Sequence, residues 1–320
     1  MRALLSLRHI QVENANAIAG LTYGFPAISS FLGFTHALSR SLQKDHDVSL
    51  GGCAIICHQH HTHAHQPAGW GDYVFALTRN PLTKEGKTAP FVEEGRMHLC
   101  VTLLIECDFD ADDLAYDTDN IEQGIKLFEA YVHDKAVQQR LAGGLITQIG
   151  QVEFCEVGSQ ERFERKALLS CLPGFVLVDR SDLLSKHHQQ NLKAQPNTDM
   201  LDAWLDFSAL KFRAEAILED DAAPTEATQA SWNYVRKPDA GWLVPMATGY
   251  KAISPLYDNA AVARTRDSTT PFRFVELIYG VGEWISPHRV QTLQPLFWRY
   301  HLEGEWYRCN NTYKPDNMME

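Results

Sequence analysis

A chain of 320 residues, 45% hydrophobic and 22% charged, can bury a sizeable core and reads as globular, in one large domain or two ordinary ones. Its net charge of −11, from 29 basic and 40 acidic side chains, argues at face value against a nucleic-acid partner, yet the imbalance is local. Residues 106–122 hold eight acidic side chains and 215–226 five more, with no Lys or Arg in either, so 27 acids face 29 bases elsewhere and a basic groove remains open to the chain.

In chain order, Ala3 to Ile10 is a short apolar run bounded by polar residues, which predicts a central strand. A polar hinge with Asn14 and Asn16 leads through Gly20 and Gly24 to Pro26, pre-organised for the first position of a helix. Ile28, Phe31, Leu32, Thr35, Leu38 and Leu42 then recur at helical spacing as far as about Lys44. Cys53 to Cys57 predicts a second strand, and His58-Gln59-His60-His61-Thr62-His63-Ala64-His65 follows. Clustered imidazoles suit zinc or nickel, through His60 with His65 or His61 with His63, but with no carboxylate or thiolate nearby the run is read as an exposed loop. Tyr73 to Thr78 is a strand candidate, and Arg79-Asn80-Pro81-Leu82 a turn. Met97, Leu99, Val101, Leu103 and Ile105 alternate, the clearest period-two pattern of the chain. Ile121, Ile125, Phe128, Val132 and Leu141 predict a second amphipathic helix ending at Gly143-Gly144, and Leu145 to Ile149 a last strand.

This order, β-α-β-β-α-β, predicts an α+β fold with a ferredoxin-like or RNA-recognition-type core over residues 1–155. Residues 156–320 read as large insertions: helices over Glu161 to Ser170, Ser181 to Ala194 and Thr198 to Leu210, a strand over Phe175 to Val178, a linker at Ala222 to Thr225, and an irregular Trp/Pro/Gly-rich half packing back on the core as one continuous domain. No apolar run approaches the roughly 20 residues that span a bilayer, which places the chain in the cytoplasm with no membrane partner. Seven scattered cysteines in apolar contexts read as reduced thiols, with neither disulfides nor a metal site and no cofactor implied.

Catalytic templates fail. There is no Gly-x-Ser-x-Gly elbow, Walker loop or His-Glu-x-x-His helix, and the Gly280-x-Gly282 pair reads as a tight turn. His36 is the one general-base candidate, against an RNA 2′-hydroxyl, and its place beside Phe34 and Leu38 predicts a partly buried structural residue. Cations, amides and glycines in turns remain as candidate RNA contacts: Asn14, Asn16, Arg79, Asn80, Arg96, Arg140, Gly143, Gly144 and Arg273. Arginine binds phosphate through two parallel hydrogen bonds, and asparagine can read a base edge.

Longer motifs run through these residues. Gln11-Val12-Glu13-Asn14-Ala15-Asn16-Ala17-Ile18, Leu21-Thr22-Tyr23-Gly24-Phe25-Pro26, Leu77-Thr78-Arg79-Asn80-Pro81-Leu82, Arg140-Leu141-Ala142-Gly143-Gly144 and Gly282-Glu283-Trp284-Ile285-Ser286-Pro287-His288-Arg289 resemble the tail subunit of the type I-F CRISPR surveillance (Csy) complex, a RAMP-superfamily family. The resemblance implies a non-catalytic subunit with a modified RNA-recognition fold. It would pair with the large tail subunit, bind the five-prime handle of the CRISPR RNA, abut a backbone subunit and meet target DNA through the assembled complex. The alternative is a RAMP-type, metal-independent endoribonuclease using His36.

Overall fold

The computed structural model describes residues 3–79, 81–89, 91–109, 120–156, 160–217, 229–239, 241–265, 267 and 269–315. Two compact units are present: Met1–Val178 with Met246–Tyr279 and Ile285–Glu320, and Asp179–Pro245 with Gly280–Trp284.

In the first unit β1 covers Ala3–Asn16, followed by the small β2 (Ile18–Ala19) and β3 (Thr22–Tyr23). The helix α1 (Ile28–His46) buries the predicted stripe, adds Phe34 to it and stops at Asp47, whose φ of 51° is left-handed. After it come β4 (Ser49–Thr62), the short β5 (Ala64–His65), β6 (Val74–Phe75), β7 (Leu77–Arg79) and β8 (Phe91–Glu93), then β9 (Arg96–Asp108). The helix α2 (Ile121–Val137) opens with the Asn120 side chain accepting the Glu122 N–H at 3.0 Å. It is followed by β10 (Arg140–Leu141), β11 (Gly144–Gln148), β12 (Gln151–Glu156), α3 (Gln160–Leu169) and β13 (Phe175–Asp179).

The second unit contains α4 (Ser181–Ala194), α5 (Met200–Ser208) and the paired β14 (Lys211–Ala216) and β15 (Ala230–Val235). His187 Nε2 meets Asp206 Oδ2 at 2.6 Å, the same oxygen accepts from Asn191 Nδ2 at 3.1 Å, and α4 and α5 are thereby fastened together. Trp204 Nε1 donates to the Gly280 carbonyl at 3.0 Å, and Arg180 is paired with Glu283. The chain closes with β16 (Leu243–Ala252), β17 (Val275–Ile285), β18 (Arg299–Glu303) and β19 (Trp306–Asn310).

One eleven-stranded sheet runs β10-β11-β1-β9-β4-β13-β17-β16-β19-β18, with β12 also paired to β1. The pairs of β1 with β9, β11 and β12, and of β4 with β9, are antiparallel. β9 shows why the centre holds: its alternating set is buried, and so are the intervening Thr102 and Leu104. Leu4, Ala54, Ile56 and Leu104 lie on one face of the sheet and share one cluster with Ala167 and Leu168 of α3 and with Phe297, which cover that face.

Several expectations are corrected. The Asn14–Asn16 hinge is the end of β1, which stays paired to β9 through two bulges where His9 and Asn14 take positive φ (50° and 55°). The histidine run is not a loop over His58–Thr62: Gln59, His60 and His61 pair with Cys100, Leu99 and His98. α2 ends at Val137, and Leu141 and Gly144 belong to a two-residue hairpin, because a Gly pair after an apolar residue serves either purpose. Ile121 is exposed rather than part of the buried stripe. Residues 279–284 lie inside β17 and form no turn, and the half expected to be irregular supplies four strands to the main sheet. Tyr73–Thr78 is divided between β6 and β7. Within the first acidic segment, Glu106 is buried in β9, accepting from the Gly52 N–H at 2.7 Å and paired with Arg299. Residues 110–119 and the linker at 222–225 lie outside the described residues.

Candidate nucleic-acid interface

Six of the nine candidate residues meet at one end of the sheet, where β1, β9 and the β10–β11 hairpin come together. Asn16 is the hub. Its backbone N–H donates to the Ala142 carbonyl at 2.8 Å, and its Oδ1 accepts from Arg96 Nη1 at 2.6 Å. Arg96 is also bonded through Nε and Nη2 to Glu94 Oε2, at 3.0 and 2.8 Å, so its charge is largely spoken for. Asn14 is exposed, and its backbone N–H donates to His98 Nδ1 at 3.3 Å.

The hairpin turn is Ala142-Gly143, with consecutive φ of 51° and 79°, the two left-handed residues of a type I′ turn. Gly144 is required for a different reason. A Cβ there would stand 2.6 Å from the Glu13 carbonyl oxygen and 2.8 Å from the Ala15 nitrogen, so the hairpin lies directly on the β1 backbone. Arg140 is exposed, reaches the Gly143 carbonyl at 3.5 Å and has no acidic partner among the described residues.

Beside Arg140 is a cavity of about 410 Å³ lined from α1 by Ser30, Gly33, Phe34 and Ala37 and from the hairpin by Gln139, Arg140, Ala142 and Gly143. The α1 residues have i, i+3, i+4, i+7 spacing, one helix face. The space above Gly33 is open, since a Cβ added there would touch nothing within 4 Å. Ser30, Gly33 and the partner Glu94 were not legible as site residues; the available signal was a glycine inside an otherwise strong helix.

The remaining candidates lie elsewhere. Arg79 is in β7, Asn80 lies outside the described residues, and Arg273, between Phe272 and Phe274, has its Nε buried with no hydrogen-bond partner among the described residues. His36 is exposed, not partly buried; its ring centroid is 6.3 Å from that of Tyr300, and it has no carboxylate partner among the described residues. His63 and His98 rings lie 4.2 Å apart with His61 beside them, and burial first, then these neighbours, hold the His63 pKa below the usual imidazole value. His58 is held between the Pro173 carbonyl (2.6 Å) and Thr102 Oγ1 (2.7 Å), and burial lowers its pKa, opposed by the Pro173 carbonyl. Among the described residues no group of three His, Cys, Asp or Glu is placed to hold a metal ion.

A family model described as CRISPR-associated protein (Cas_Csy2) matches residues 5–309. The chain belongs to the Cas_Csy2 family. It is 42% identical over 316 residues to the CRISPR-associated protein Csy2 of Pseudomonas aeruginosa (strain UCBPP-PA14), covering 95% of this chain and 93% of that protein. The motif resemblance points to the same family, and membership covers both the hairpin site and the strands of the C-terminal half. No described helix is long and apolar enough to cross a membrane.

Proposed function

We propose that this Cas_Csy2-family chain is a non-catalytic, cytoplasmic RNA-binding subunit of a type I-F CRISPR surveillance complex. In this reading it forms the tail heterodimer with the large subunit, abuts a backbone subunit and holds the five-prime handle of the CRISPR RNA while the guide pairs with invading DNA. The observation that carries it is Arg140: an exposed guanidinium with no acidic partner among the described residues, at the mouth of an open cavity beside a turn in which Gly143 is exposed. Guanidinium forks recognise phosphate, and glycine turns let a sugar-phosphate chain come close. Family membership supports the complex.

The same reading takes the core as ferredoxin-like. Strands β11/β12, β1, β9 and β4 lie side by side in that order, which is 4-1-3-2 for a β-α-β-β-α-β chain whose helices are α1 and α2. An exposed His36 with no orienting carboxylate among the described residues supports binding over cleavage, since a partner that fixes tautomer and orientation favours a general base.

Gly33→Glu tests the site without loading the core. Replacing a helical glycine is worth up to about 1 kcal/mol of stability, so the variant is expected to melt no lower than the natural chain. Its carboxylate enters the cavity beside Arg140, and affinity for an RNA carrying the handle is expected to fall about tenfold or more, one charge-assisted contact. RNA affinity unchanged in both Gly33→Glu and Arg140→Ala would remove this site from the function.

A further inference from the structure

A second cleft lies on the sheet face that α3 covers, away from the hairpin. Its floor is made by β1 and β12 in strict register, with Leu4, Ser6 and Arg8 opposite Cys155, Glu153 and Gln151. Residues directly opposed in an antiparallel pair share a face, so all six side chains point the same way. Its wall is one face of α3 and the turn after it: Phe163, Lys166, Ala167 and Ser170, at i, i+3, i+4 and i+7. The cleft has a volume of about 740 Å³, within the range of small-molecule pockets.

A sheet-to-helix layer of this kind is ordinarily filled with apolar side chains, as it is farther along, where Leu4, Ala54 and Leu104 meet Ala167 and Leu168. Here it holds charge instead. Arg8 is only 9% exposed, a guanidinium withdrawn from solvent under the cleft. Its Nε and Nη2 both go to Glu153 Oε2, at 3.1 and 3.0 Å, while Nη1 has only the Cys171 sulfur at 4.0 Å among the described residues. A guanidinium has five N–H donors, so donors are left over beside a carboxylate oxygen that takes none of them. At the rim Lys166 is exposed and has no acidic partner among the described residues. Arg8 and Lys166 against Glu153 leave the cleft with one net positive charge.

We propose that this cleft is a binding pocket for a single nucleotide: the base lies against Phe163 with its edge on the Arg8–Glu153 pair, and the phosphate is held by Lys166. Each part answers a part of the ligand. An aromatic ring offers a face for stacking, a donor beside an acceptor suits the hydrogen-bonding edge of a base, and an unpaired ammonium at the mouth suits a phosphate. The pocket is separate from the Arg140 cavity and does not depend on it. In a protein that holds RNA, it would receive a nucleotide splayed out of the strand.

Cys155 supplies the assay. It lines the pocket and is the only cysteine of the seven that is not buried. Burial, with the Glu153 carboxylate beside it, pushes its thiol up to about 11, so alkylation is slow and easily timed. The rate of Cys155 alkylation in the full chain is measured with 5′-CMP, 5′-AMP, ribose 5-phosphate or inorganic phosphate at about millimolar concentration. Protection grows as one plus the ratio of ligand to its dissociation constant, about threefold at twice that constant. The nucleotides are expected to slow alkylation about threefold or more, ribose 5-phosphate and phosphate far less, and Lys166→Glu to abolish the difference. Equal rates with and without nucleotide, or equal protection by phosphate alone, would overturn the proposal. Gly33→Glu should leave nucleotide protection intact, so this pocket and the handle site fail independently.

Discussion

A Gly144→Ala chain is expected to lose about 2–3 kcal/mol of stability and its RNA binding together, from the addition of one methyl group. The added carbon would stand 2.6 Å from the Glu13 oxygen, 2.6 Å from Val12 Cγ1 and 2.8 Å from the Ala15 nitrogen. Two of these are backbone atoms of β1, which is paired to β9 on one side and to β11 on the other, so they cannot retreat without breaking a ladder. Gly143→Asn is the contrasting variant. Its φ of 79° is tolerated by asparagine better than by other side chains, and the nearest atom is the Asn16 side-chain nitrogen at 3.0 Å, a side-chain atom that needs to give by only a few tenths of an ångström. Urea denaturation should show the Gly144→Ala midpoint well below wild type and Gly143→Asn close to it. A Gly144→Ala chain as stable as wild type would mean that the hairpin does not rest on β1 as described.

Trp298→Ala has the larger expected cost, about 3–5 kcal/mol. Trp298 is fully buried, its Nε1 donates to the Leu177 carbonyl at 2.9 Å, and its backbone exchanges two hydrogen bonds with Cys53 at 3.0 and 2.9 Å. Truncation leaves a large cavity and an orphaned carbonyl at the place where the C-terminal segment is fastened to β4. Trp298→Phe keeps most of the volume and loses the donor, so about 1–3 kcal/mol is expected. A loss under about 1 kcal/mol for Trp298→Ala would show that this ring is not a fixed part of the core.

The parts of the fold that were legible are those with one clean period. The α1 stripe and the alternation of β9 reflect one-sided contacts that repeat, and both are in place. β1 and β4 were read short because their later residues, Gln11, Glu13 and Gln59 to His61, lie on a polar part of the sheet, and because bulges at His9 and Asn14 shift the period. β17 was hidden by its glycines, which read as a turn when no partner strand is known. At the candidate site the residue types were legible and their meeting was not. Asn16, Arg96 and Gly143 are far apart in the chain, and only long-range strand pairing joins them. That pairing also left Arg96 engaged with Glu94 and Arg140 without an acidic partner among the described residues, a distinction that spacing cannot supply. Gly33, which drew no attention in the sequence, lines a cavity.

In the function proposed above, this chain holds the five-prime end of a CRISPR RNA. This role is tested most directly by purifying the full chain from cells that also express its genomic neighbours, then sequencing whatever RNA accompanies it. Short RNAs sharing one five-prime sequence are expected, together with a larger tail protein, and that RNA is expected to be lost from Gly33→Glu and Arg140→Ala preparations. A folded chain that emerges with its protein partners but no RNA, or with RNA lacking a common five-prime end, would contradict this role.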